Sequence, residues 1–124
     1  MIGTDFRKFE IFLHRGVIDF RKGLDGLAGI VQDEMGMNPC EGPRLFVFTN
    51  RTRRRVRILY WDRTGYALWM KRLEEARFPW PKAALENRGA ESVQLTEREL
   101  SWLLEGYEFW RLKPHKSLEY ERVA

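Results

Sequence analysis

Apolar and charged residues alternate along residues 6–13, where Phe9, Ile11 and Leu13 are interleaved with Lys8, Glu10 and Phe12. A period of two predicts a strand. Asp19 then stands as a helix N-cap, followed at helical spacing by Phe20, Leu24, Leu27, Ala28 and Val31, with Gly36 as the stop. Gly23, Gly26 and Gly29 weaken this helix intrinsically, so tertiary packing has to hold it. Their three-residue spacing predicts one thin face that another backbone can approach closely. Pro39, Gly42 and Pro43 mark a loop.

Three strands are predicted next, over residues 45–50, 56–62 and 66–73, from their β-branched and aromatic content. The short polar run Asn50-Arg51-Thr52-Arg53-Arg54-Arg55 reads as a hairpin tip. Asp62-Arg63-Thr64-Gly65 reads as a second turn, with Gly65 the residue suited to positive φ. Residues 77–81 contain Pro79 and Pro81, which confine them to a sheet edge or keep them out of the sheet. Residues 82–91 are polar and predict a loop. Thr96 and Glu99 then form a capping box, with Leu95 placed to staple onto Leu100. Leu100, Leu103, Leu104 and Tyr107 supply the buried stripe, and Gly106 ends the helix.

In the middle strand Val56, Ile58 and Tyr60 point one way, and Leu59 and Trp61 the other. The expected architecture is a single α+β domain over residues 1–112, with residues 113–124 as a flexible tail. A central antiparallel sheet carries the Arg-rich hairpin and is packed by an N-terminal and a C-terminal helix. The helices are expected on one side of the sheet. The other side packs on itself or offers exposed aromatics.

Charge sharpens this picture. The chain of 124 residues carries a net +4, but residues 44–82 hold eleven basic and three acidic side chains, a local +8, and the remainder is −4. A basic middle implies a polyanion or an acidic protein surface as partner. Arginine dominates, and its planar fork suits phosphate. A solvated hairpin kept for solubility is the plainer explanation. The candidate nucleic-acid-binding residues are Arg51, Arg53, Arg54, Arg55 and Arg57 on the hairpin, Lys71 and Arg72 beside it, and Arg21 and Lys22 near the first helix. Trp61, and above all Trp80 between its two prolines, are candidates for an exposed interaction surface. Most of the other aromatics read as core.

No catalytic constellation is evident. His14 and His115 lie in unrelated contexts, and there is no Cys-x-x-Cys, Gly-rich phosphate loop or His-Glu-x-x-His. Asp19 and Asp25 read as a cap and as an i,i+4 partner of Arg21 rather than as metal ligands. The single cysteine, Cys40, excludes an intramolecular disulfide. No run is long and apolar enough to span a bilayer, and the first residues lack a signal-peptide pattern, so the expected location is the cytoplasm. No cofactor and no membrane partner are expected.

Three stretches, GVIDFRKGLDGLAGIVQ (residues 16–32), LFVFTNRTRRRVRILYWDRTGYALWMKRLEEARFPWP (45–81) and LTERELSWLLEGYEF (95–109), together resemble the small accessory protein of IS-66-type insertion sequences, often called TnpB. The resemblance runs over nearly the whole chain, though not the residues after Phe109. It implies a non-catalytic protein that assists a separate, larger transposase, and it transfers no catalytic residue. The expected partners are DNA at the element ends, the element-encoded transposase and another accessory protein. The first function expected is DNA binding. The alternative is an adaptor that recruits or stabilises the transposase without touching DNA, and a small ribonuclease is a remote third.

Overall fold

The computed structural model describes residues 8–80 and 92–106. Five strands, β1 (Glu10–Ile18), β2 (Arg44–Asn50), β3 (Arg55–Asp62), β4 (Gly65–Arg72) and β5 (Ser92–Leu95), form one sheet in the order β4-β3-β2-β1-β5. Helix α1 (Leu24–Asp33) links β1 to β2, and helix α2 (Glu97–Glu105) follows β5. The fold is α+β, as the sequence predicts.

The sheet is mixed rather than wholly antiparallel. Strand β1 runs parallel to β2 because α1 intervenes between them, whereas β2/β3, β3/β4 and β1/β5 are antiparallel. The first strand also starts later than its alternation predicts and runs on to Ile18. Asp19 therefore lies in the connection and not at a helix start. The N-cap of α1 is Gly23, and Asp19 instead accepts the Arg21 backbone N–H at 2.9 Å, closing a local turn.

Helices cover both faces, not one. On the first face Leu27, Ala28, Ile30 and Val31 of α1 pack with Phe46, Phe48 and Leu59. On the second, Leu100, Leu103 and Leu104 of α2 pack with Ile11, Leu13, Leu45, Val47, Val56 and Ile58. The alternate side chains of β2 thus feed two separate cores, which is why its sequence reads as a continuous apolar run. The expected thin glycine face is not used. No neighbouring atom lies within 4 Å of a Cβ built on Gly23 or Gly29, and at Gly26 the near neighbour is the Lys22 side chain.

Residues 73–80 leave β4 and cross the second face outside the sheet. Phe78 and Trp80 are buried there, each 1% exposed. Trp80 is therefore a core residue rather than a surface contact. Its indole N–H donates to the His14 carbonyl at 3.2 Å, in the stretch where the β1/β2 register slips between Leu13 and Val17.

The C-terminal helix forms as its sequence prescribes. Thr96 Oγ1 accepts the Glu99 N–H at 3.1 Å, the Thr96 N–H donates to Glu99 Oε1 at 2.9 Å, and Gly106 closes the helix at φ 96°. At the β3/β4 turn the positive φ falls on Arg63 (56°), not on Gly65. Residues 81–91 and 107–124, which include the expected polar loop, Pro81, Tyr107, His115 and the expected tail, lie outside the described residues.

Candidate nucleic-acid interface

The topology gathers the basic residues at one end of the sheet. Because β1 and β2 run parallel, the connection after Ile18 and the β2/β3 hairpin after Asn50 emerge side by side, with Ile18 opposite Asn50. Antiparallel pairing then brings Arg72 of β4 opposite Arg55 of β3. Arg21, Lys22, Arg51, Arg53, Arg54, Arg55, Lys71 and Arg72 accordingly share this end, with Arg57 one step inward on the face of Arg55. Trp61 lies at the far end of β3, edge-on to Tyr66 with ring centroids 5.1 Å apart. An eight-residue strand spans roughly 25 Å, so Trp61 and Arg63 are well separated from the basic end.

The arginines divide by what they already hold. Arg57 is turned inward. Its Nη1 donates to the carbonyls of Phe20 (2.9 Å) and Lys22 (3.2 Å), and its guanidinium lies 4.5 Å from the centre of the Phe20 ring. It fastens the β1–α1 connection to the sheet. Burial, and secondarily the charge of Arg55, push its pKa below the usual guanidinium range. Lys71 donates to the Leu104 carbonyl at 3.1 Å, in the last turn of α2, where a cation suits the helix dipole. Arg72 pairs with Glu74 at 2.9 Å, and Arg54 donates to the Glu74 carbonyl at 3.3 Å.

The tip itself is braced rather than free. Arg53 adopts φ 58°, the Phe78 N–H donates to its carbonyl at 2.6 Å, and the Leu73 N–H donates to the Arg54 carbonyl at 2.8 Å. At the root of the hairpin Thr49 Oγ1 donates to the Arg55 carbonyl, and the Arg55 N–H donates to Asn50 Oδ1. Among the described residues the side chains of Arg51, Arg53 and Arg55 have no ion-pair or hydrogen-bond partner.

Beside the hairpin, a cleft of about 520 Å3 opens at the carboxyl ends of β1 and β2, lined in part by Asp19, Phe20, Arg21, Asn50, Arg51 and Arg55. A second, of about 430 Å3, runs along β3 and β4 past Arg57, Met70 and Arg72, and Arg55 borders both. Asp19 is the acidic member of the first cleft. Arg21 meets it with Nε and Nη2, the shortest contact being 2.6 Å, rather than pairing with Asp25 as its spacing suggests. This hydrogen-bonded guanidinium holds the Asp19 carboxyl at about 2, below its ordinary 3.8, and the pairing raises the Arg21 pKa in turn. Any stabilisation from the pair is complete above the ordinary carboxylate range and disappears as pH falls through about 2. Replacing Arg21 by Gln is expected to return the Asp19 titration towards 3.8, as followed by carboxyl-carbon NMR. A titration left near 2 would mean that other groups set it.

Two features escaped the sequence reading. His14 is 3% exposed and bonded at both ring nitrogens, to the Gly16 carbonyl and to Glu34 Oε1, each at 2.9 Å. Exposed Cys40 shares a 3.3 Å hydrogen bond with the Tyr66 hydroxyl, and that bond, reinforced by burial, raises Tyr66 to about 12. Among the described residues no group of three or more His, Cys, Asp or Glu side chains is arranged to hold a metal ion, and no helix is long and apolar enough to cross a membrane.

The sequence model of the IS66 Orf2-like proteins matches residues 9–114. The chain belongs to that family. IS66 Orf2-like proteins are insertion-sequence accessory proteins, and the match takes in every described strand and both helices. Two uncharacterized proteins of Sinorhizobium fredii (strain NBRC 101917 / NGR234) are similar over most of their length. One, y4hO, is 35% identical over 102 residues, covering 82% of this chain and 83% of the relative. The other, y4jC, is 33% identical over 113 residues, 91% of each. No solved structure matches the chain.

Proposed function

We propose that this IS66 Orf2-like protein binds DNA without catalysing a reaction on it, through the basic end of its sheet, and thereby assists the transposase of its element. The observation that carries this reading is the assembly of Arg21, Arg51, Arg53 and Arg55 on three neighbouring segments of one sheet end, with the side chains of the last three bearing no counter-charge among the described residues. Uncompensated guanidinium groups fixed on a braced hairpin favour a polyanion, and phosphate contact supplies affinity with little sequence information. Arg57 and Lys71 support the surface from within, since their donors are taken by backbone carbonyls.

The test is fluorescence anisotropy with a labelled duplex of the element end and a scrambled duplex, each across a salt series. Binding to both is expected, with a log–log salt slope of about −3 from three or four phosphate contacts. Reversing the charges of Arg53, Arg54 and Arg55 together should abolish binding while the circular dichroism spectrum is kept. A folded triple variant that binds as before would refute the hairpin as the contact.

A second reading has one feature of its own. Met70, 60% exposed, lies on β4, an edge strand of the sheet, beside Arg72. An exposed apolar side chain on a basic edge suits a strand or loop from an acidic protein surface, and the transposase is the partner to try. Capture of the transposase that survives nuclease treatment, without DNA binding by the isolated protein, would favour this adaptor role.

A further inference from the structure

We infer that the cleft at the carboxyl ends of β1 and β2 is a phosphate-binding site, in which Arg21, Arg51 and Arg55 grip one phosphate of the nucleic-acid backbone and the Asp19 carboxylate is its built-in competitor. The inference deepens the nucleic-acid reading above and rests on it. Its geometry is that of open sheets containing parallel strands, where ligands sit beyond the carboxyl ends of those strands. Here the parallel pair β1/β2 delivers Arg21 from one connection and Arg51 and Arg55 from the other to the two walls of a single cleft.

Three further observations agree. Arg51 and Arg55 have no side-chain partner among the described residues, although Arg55 stands directly across from Arg72, a like-charge pairing that an anion relieves. Arg57, through its bonds to the Phe20 and Lys22 carbonyls, fixes the wall that carries Arg21. Asp19 already occupies Arg21, accepting from Nε at Oδ1 (3.1 Å) and from Nη2 at Oδ2 (2.6 Å), the two-pronged geometry a phosphate oxygen pair would use. Ligand binding therefore exchanges one anion for another on Arg21 and sets a phosphate beside a carboxylate, so Asp19 weakens the interaction. The tip arginines are differently placed. Arg54 lines neither cleft and already donates to the residue 74 carbonyl.

Two experiments test this on the full chain. In the first, inorganic pyrophosphate is titrated while the arginine Nε–H resonances are followed by NMR. Shifts at Arg21, Arg51 and Arg55 with Arg63 unmoved are expected. In the second, anisotropy compares variants whose amide spectra confirm the fold. Arg51→Gln and Arg55→Gln are each expected to weaken duplex binding by about tenfold, whereas Arg63→Gln, at the far end of β3, stays within about twofold. Asp19→Asn keeps the oxygen that closes the turn but loses the charge, and is expected to tighten binding by about threefold or more.

Wild-type affinity in the Arg51 and Arg55 variants overturns the inference, as does unchanged or weaker binding by Asp19→Asn. Duplex binding without any pyrophosphate shift in the cleft also overturns it, while leaving the nucleic-acid reading intact. Cleft shifts with pyrophosphate but no duplex binding at low salt would instead uphold the anion site and remove the nucleic-acid reading.

Discussion

Trp80→Ala is expected to destabilise the protein by about 3–5 kcal/mol in denaturant unfolding, the range found when a fully buried large aromatic is truncated. The side chain is 1% exposed and lies in the core that joins β1, β2 and β3 to α2. Its removal opens a cavity beneath residues 73–80, the segment that also anchors the hairpin tip through the Phe78 N–H bond to the Arg53 carbonyl. Two effects should therefore appear together: loss of stability, and faster amide exchange at Arg53 and Phe78. Trp80→Phe keeps most of the apolar contact but leaves the His14 carbonyl without its indole donor, so a smaller cost of about 1–3 kcal/mol is expected. A loss below 1 kcal/mol for the alanine variant would show that the segment merely lies on the surface of the core.

His14→Ala should be the next most damaging change, at about 2–4 kcal/mol. The imidazole sits 5.6 Å from the Phe48 ring centre and spans from the irregular part of β1 to Glu34, just beyond α1. It ties β1 to the C-terminal end of α1, whereas Arg57 holds the connection that precedes α1. Truncation removes two hydrogen bonds and the ring's packing together. Glu34 is half-exposed, so Glu34→Gln retains an acceptor in a solvated position and should cost less than about 1 kcal/mol. Equal losses in the two variants would mean that the contact with Glu34, rather than the buried ring, holds β1 to α1.

Local rules read correctly wherever the chain obeys them alone. The capping box at Thr96 and Glu99, the Arg-rich tip and the strands around it depend on neighbours within a few residues, and all stand where the sequence puts them. What escaped depends on partners far along the chain. Asp19 resembles an N-cap because Phe20 and Leu24 follow at helical spacing, yet α1 begins only after Gly23 and Asp19 binds Arg21. Trp80 between prolines looks like a surface fixture. The prolines exclude it from the sheet, and burial against the second face decides its role. Strand β5 has four residues, too few for alternation to register, and exists because β1 offers an edge. The candidate site was legible as a composition of arginines. Its division into braced, inward-turned and unpartnered members was not, because the groups that hold Arg54, Arg57 and Lys71 lie 20 or more residues away along the chain.

The pairing of β1 with β5 has a bearing on how the protein comes to exist. His14 and Ile11 find their partners in Ser92 and Leu95, and the core that encloses Ile11 and Leu13 includes Leu95 of β5 and Leu100, Leu103 and Leu104 of α2. A chain emerging from the ribosome therefore makes its first strand early and completes that strand's surroundings last. Contacts this distant in sequence slow folding, and until they form β1 presents an open edge and a bare apolar face. A frameshift or stop upstream of Ser92 would accordingly leave β1 without the β5 edge and without the apolar side chains of α2, a fragment prone to aggregate rather than a smaller working protein.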